Sequence, residues 1–120
     1  MKIAVLASGR GSNLQAFIDA WQAGHLPGAE FVAVGSDQRG AAALEKAAQA
    51  GIPHKEFPLQ SYGDKTRQEA DILRWLNERH TELLILAGYM RVLSADFITR
   101  ALFPIQNIHP SLLPAFPGLH

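Results

Sequence analysis

The chain has 120 residues, enough for one domain that buries about two-thirds of its unfolded surface. Lys plus Arg and Asp plus Glu each number 11, so the zero formal charge excludes an extended nucleic-acid surface but not a local anion site. Hydrophobic residues at 48%, the absence of cysteine and a short apolar N-terminal run exclude a disordered chain, disulfides, thiolate metal sites and a membrane span, leaving a cytoplasmic small-molecule protein as the expectation.

Apolar runs and helical stretches alternate from the first residue. Residues 2–7 (KIAVLA) are a continuous apolar run, the pattern of a strand buried on both faces. After a turn at 8–13, the stretch 14–23 puts Leu14, Phe17, Ile18 and Trp21 on one helical face. Ser12 with Gln15 reads as a capping box there, and Gly24 as the stop. Residues 30–36 (EFVAVGS) are a second strand, and 41–50 a second helix ended by Gly51. A short third strand, 54–57, lies between Pro53 and Pro58. Asp64 is placed to cap a third helix that runs to Arg79, with Ala70, Leu73 and Leu76 inward. Residues 83–88 (LLILAG) carry the strongest buried-strand pattern. Ser94 is placed to cap a fourth helix containing Phe97, Ile98, Ala101 and Leu102, and 105–109 form a fifth strand before a Pro-rich loop. This alternation predicts an α/β domain, a mostly parallel sheet of five strands doubly wound by helices. Ligands of such sheets gather beyond the carboxyl ends of the strands, where strand order reverses.

Three strand exits therefore matter. The first, Ser8-Gly9-Arg10-Gly11-Ser12-Asn13, runs from a strand into a helix. Glycines allow close approach of a ligand, the helix start offers unpaired N–H groups, and Ser12 and Asn13 add donors, so a single phosphate group fits. A tight turn with Ser12 as a simple cap is the alternative. Leu14 stands where the dinucleotide fingerprint requires its third glycine, although Asp37 after the second strand keeps that reading open. The second exit, Gly88-Tyr89-Met90-Arg91-Val92-Leu93, suits a flat, partly apolar ligand; read otherwise, Met90, Val92 and Leu93 fill the core and Arg91 is solvated or ion-paired. Arg67, on the third helix, is by itself an ordinary solvated helix charge.

The third exit carries Asn107 and His109, which alternation puts on one side of the fifth strand, with Ile108 opposite. An amide able to stabilise an oxyanion beside an imidazole able to move a proton forms an acyl-transfer pair, and Pro110 and Pro114 stiffen the chain beyond it. A hydrogen-bonded structural histidine is the alternative. His25, His54, His80 and His120 have no metal-ligand spacing, and neither a catalytic triad nor a nucleophile elbow is visible.

Together, SGRGSN at 8–13, LAGYMRVLS at 86–94 and NIHPSLLPAFPGLH at 107–120 resemble glycinamide ribonucleotide formyltransferases over the whole chain. The resemblance implies a Rossmann-like formyltransferase fold, a single N-terminal domain over 1–120, and formyl transfer from 10-formyltetrahydrofolate to the amine of 5-phosphoribosylglycinamide in purine (IMP) synthesis. It implies that Gly11, Ser12 and Asn13 hold the substrate phosphate. Met90, Arg91, Val92, Leu93 and Asn107 would contact the folate co-substrate, with Arg67 preferred to Lys65 as the arginine of the third helix. Asn107 would donate to the oxyanion of the tetrahedral intermediate, and His109 would protonate the departing folate nitrogen. No metal, nucleic acid or membrane is implied, and a homodimer is left open.

The family's third catalytic residue, an aspartate, falls beyond residue 120, as do further strands and a helix. The expectation is thus a truncated domain that alone transfers little or no formyl. Competing readings are a formyltetrahydrofolate hydrolase, which resembles the last two blocks but lacks the glycine–serine–asparagine loop, and a nucleotide- or phosphate-binding domain without this chemistry.

Overall fold

The apolar run at the N-terminus becomes the middle strand of a five-stranded parallel sheet. The structure, a computed structural model, describes residues 1–89, 91 and 93–112. In chain order its elements are β1 (Lys2–Ala7), α1 (Ser12–Gln22), β2 (Glu30–Ser36), α2 (Ala42–Gln49), β3 (His54–Glu56), α3 (Leu59–Tyr62), α4 (Lys65–Glu78), β4 (Leu83–Ala87), α5 (Ala95–Arg100) and β5 (Ile105–Asn107), then a 3₁₀ turn at Pro110–Leu112. The sheet order is β3-β2-β1-β4-β5, and every neighbouring pair is parallel. Strand order reverses between β1 and β4.

Alternation along the strands sends side chains into two cores, as a sheet covered on both faces requires. Ile3, Val5, Ala7 and Ile85 pack with Leu14, Phe17 and Ile18 of α1 and Leu44 and Ala47 of α2. On the other face Ala4, Leu6 and Leu84 meet Ile72, Leu73 and Leu76 of α4, together with Phe57, Phe97 and Phe103. Residues Ile3 to Ala7 are all 0% exposed, which is why β1 reads as unbroken apolar sequence. Each large side chain buried in these layers contributes about 1.5–3 kcal/mol. Among the described residues no helix is long and apolar enough to cross a membrane.

Several local expectations are corrected. Helix α1 begins at Ser12 with Gly11 as its N-cap, and no side chain caps it; Gln15 turns to Asp19 instead, at 2.8 Å. The capping box is thus absent. Ala70 is exposed, and Gln68 and Glu69 turn inward in its place. Both have polar partners that make burial tolerable: Gln68 Nε2 donates to the Phe57 carbonyl at 2.7 Å, and Glu69 accepts from Ser94. Helix α5 stops at Arg100, so Ile98 and Leu102 stay 57% and 82% exposed, and Phe97 and Phe103 fill the core. Strand β5 ends at Asn107, and the single-turn helix α3 succeeds Pro58 where no element was expected. Asp64 and Ser94 cap α4 and α5 as read from the sequence, accepting from Arg67 N and Phe97 N at 2.8 and 3.1 Å.

Candidate active site

The exits of β1, β4 and β5 meet at one end of the sheet. Leu6, Leu86 and Asn107 stand in register across the three strands, so the chain leaves the sheet side by side at all three. Gly11 adopts φ 70°, in the left-handed region, and swings the chain into α1. Because glycine offers no capping side chain, the first N–H groups of α1 stay open to a ligand, and Ser12 is exposed rather than tied to the backbone. A Cβ at Gly88 would lie 3.0 Å from Asn13 Nδ2 and 3.6 Å from Ser8 Oγ, so the loop reaches the exit of β4. The structure thereby brings Gly11, Ser12 and Asn13 to the switch point.

Arg91 is ion-paired through Nε with Asp37, whose side chain is only 9% exposed. Asp37 lies just past β2, so this pair crosses the exit of β1, joining the two strands that flank it. The acid that kept a dinucleotide reading open is therefore committed to Arg91. Leu93 and Tyr89 are each partly buried against the core on the α4 side of the sheet. Burial pushes the Tyr89 hydroxyl well above the ordinary phenol range; the negative charges of Asp37 and Glu69 add to this and Arg91 opposes it. Glu69, 6% exposed, accepts from both the backbone N–H and the hydroxyl of Ser94, so a buried carboxylate holds the far end of the same segment. The expectations for Met90 and Val92 lie outside the described residues, as does the loop after Leu112.

Asn107 and His109 are exposed at the exit of β5, while Ile108 is 3% exposed and belongs to the α1 side. The strand ends at Asn107, so His109 follows it in the turn towards Pro110 and not within the strand. The Asn107 amide makes no hydrogen bond among the described residues, which leaves its donors to a ligand. His109 Nδ1 lies 2.9 Å from Ser111 Oγ and accepts from the Ser111 N–H at 3.1 Å.

Arg67 is not drawn into this group. It pairs with Asp64 at 4.0 Å and lines an open recess with Tyr62, Arg74 and Arg100. Lys65 instead lines a cavity of about 160 Å³ shared with Glu69, Ser94 and Phe97. Lys65, the residue set second on spacing, is thus the one beside the end of the segment after β4. The Asp37–Arg91 and Glu69–Ser94 contacts were missed in the sequence because partners 54 and 25 residues apart leave no periodic signal. Among the described residues no group of three His, Cys, Asp or Glu could hold a metal ion.

An uncapped helix start, an anchored strand exit and an Asn–His pair thus lie together at the switch point of a doubly wound α/β domain. Residues 1–120 match the Formyl transferase family, and the chain belongs to it. It is 41% identical over 119 residues to the phosphoribosylglycinamide formyltransferase of Haemophilus influenzae, covering 99% of this chain and 56% of that protein. It is 46% identical to the trifunctional purine biosynthetic protein adenosine-3 of Drosophila pseudoobscura pseudoobscura, covering 99% of this chain and 9% of that one. The glycinamide ribonucleotide transformylase 1 structure from Geobacillus kaustophilus superposes with a TM-score of 0.83 at 43% identity, over 98% of this chain and 62% of that one. A formyltetrahydrofolate deformylase from Pseudomonas putida aligns less well, with a TM-score of 0.75 at 33% identity over 88% of this chain and 37% of its own. The chain thus spans little more than half the length of the single-function relative.

Proposed function

We propose that the protein transfers a formyl group from 10-formyltetrahydrofolate to the amine of 5-phosphoribosylglycinamide, a step of purine (IMP) synthesis carried out in the cytoplasm. The observation that carries this reading is the convergence of the uncapped start of α1, Arg91 and Leu93, and the Asn107–His109 pair at one switch point. The substrate phosphate would accept from the open N–H groups after Gly11 and from Ser12 and Asn13. Arg91 and Leu93, with Met90 and Val92, would line the folate site, and Asn107 and Lys65 or Arg67 would contact the folate. In the reaction the glycinamide nitrogen forms a bond to the formyl carbon and the bond from that carbon to the folate nitrogen breaks. Asn107 donates to the formyl oxygen as negative charge builds there, and His109 delivers a proton to the departing nitrogen. The amine loses its proton to solvent.

A folate-absorbance assay of the full-length gene product, with and without glycinamide ribonucleotide, tests this. Asn107→Ala and His109→Ala should each lower kcat by roughly 10²–10³-fold, as loss of an oxyanion donor or a general acid does, with phosphate-substrate binding little changed. Turnover that ignores the amine would favour the hydrolase reading, to which the deformylase neighbour lends its similarity. If neither replacement slows the reaction, the pair is structural.

A further inference from the structure

His109 leaves β5 and precedes the 3₁₀ turn Pro110–Leu112, so it stands where a cap stands. Its Nδ1 has two neighbours from one residue: the Ser111 N–H at 3.1 Å and the Ser111 hydroxyl oxygen at 2.9 Å. A ring nitrogen carries either a lone pair or a proton: the N–H can serve only the lone pair, while the hydroxyl can donate to the lone pair or accept from the proton. With a lone pair at Nδ1, the neutral ring accepts from the N–H, as side-chain caps do, and keeps its proton on Nε2. Once Nδ1 carries a proton, the N–H opposes it and the hydroxyl oxygen is the acceptor within reach.

We infer that Ser111 is a positioning residue for His109: its N–H selects the resting Nε2–H tautomer, and its hydroxyl accepts from Nδ1–H when the ring is protonated. The purpose of this arrangement rests on the formyl-transfer reading. The imidazolium gives its Nε2 proton to the departing folate nitrogen as the carbon–nitrogen bond breaks. The ring is then neutral with its proton on Nδ1, held by the Ser111 oxygen, until solvent returns a proton to Nε2. Without the hydroxyl, the N–H alone faces Nδ1 and disfavours every form that the proton transfer uses.

Other charges do not supply this function among the described residues. The 3₁₀ turn packs against α1, whose one ionisable side chain, Asp19, accepts from Gln15 at 2.8 Å. The neighbouring exit of β4 brings Tyr89 and Arg91, the latter paired with Asp37. No carboxylate lies within ion-pairing distance of the His109 ring among the described residues.

The test is nitrogen-15 NMR of the His109 ring across a pH titration, in the full-length gene product and its Ser111→Ala and Ser111→Thr variants, beside the pH–rate profile of each. The neutral parent ring should be the Nε2–H tautomer. In Ser111→Ala the protonation midpoint should fall by about half a pH unit or more, as loss of an acceptor to a charged group does. The His109 limb of kcat should move the same way, with KM for the phosphate substrate unchanged, and threonine should restore both. An unmoved midpoint in Ser111→Ala, or a neutral ring protonated at Nδ1 in the parent, overturns the assignment. If the midpoint moves but formyl never reaches the amine, the formyl-transfer reading falls and the role of Ser111 stands. If formyl transfer proceeds and the midpoint is fixed, only the role of Ser111 falls.

Discussion

At Gly11 the backbone has φ 70°, and a Cβ there would lie 2.6 Å from Ala43 Cα. Both the strain and the contact are backbone features that no side-chain rotation relieves. Gly40 is the natural control, with φ 61° and nothing within 4 Å of its built Cβ. Gly40→Ala should therefore cost about 1 kcal/mol, the strain of a left-handed alanine alone. Gly11→Ala should cost a further 1–3 kcal/mol or so from overpacking, and should weaken the phosphate substrate more than tenfold. Urea denaturation and calorimetric titration read the two effects; equal costs at both positions would show that the approach to Ala43 is slack. The same residue explains a misreading. Ser12 and Gln15 have the spacing of a capping box, but that pattern cannot tell which residue leaves the helix first. The left-handed turn at Gly11 takes the cap position, so Ser12 stays exposed at the helix start. Asp37 was legible as an acid after β2, and its partner Arg91 was not, because only the strand order brings them together.

The single turn α3 and the long helix α4 are joined by a polar clamp. Tyr62 donates to Asp71, which also pairs with Arg74 and with Lys55 at 3.7 Å. Burial, the hydrogen bond to Asp71 and the charge of Asp71 push the Tyr62 hydroxyl up to about 12, with Arg74 opposing. Burial alone would raise the Asp71 carboxyl, but the bonds from Tyr62 and Arg74 and the charges of Lys55 and Arg74 outweigh it and hold it below the usual carboxylate range. Linkage between protonation and folding sets the signs. A raised tyrosine contributes stability that is whole below pH 10 and is lost as pH climbs from 10 towards 12. A lowered carboxyl contributes above its unfolded value and loses that contribution as pH falls beneath it. Tyr62→Phe should therefore lower Tm at neutral pH and narrow its gap to the parent between pH 10 and 12. The difference between the two curves is the measurement, because Tyr89 adds an alkaline loss of the same sign to both. A gap that stays constant through that range would remove Tyr62 from the clamp. This element escaped the sequence reading because one turn of helix, LQSY, is too short to show periodicity. The buried strands were plain for the opposite reason: a strand covered on both faces must be apolar at every position.

Across the whole molecule, the alternation of strands and helices was enough to foresee a parallel, doubly wound sheet, but not the order in which strands lie. That order, β3-β2-β1-β4-β5, is a matter of long-range pairing, and it decides that the exits of β1, β4 and β5 lie side by side. It also sets where the fold is strong. Strand β1 pairs on both sides and is 0% exposed from Ile3 to Ala7, and β4 is nearly as well covered. The three residues of β3 are all exposed, and β5 pairs with β4 alone among the described strands. Native-state hydrogen exchange should accordingly show the amides of Val5, Leu6 and Ile85 opening only with global unfolding. That of Lys55 in β3 should open several kcal/mol below that, at about half the global free energy or less. Asn107 and His109 follow β5 while the glycine loop springs from β1 at the centre of the described sheet, so the proposed site draws on separate strands. Adding 5-phosphoribosylglycinamide should then slow exchange at the start of α1 by the full binding free energy while changing β5 less. Uniform protection of both exits would mean that the phosphate loop and the Asn–His strand already open and close as one unit.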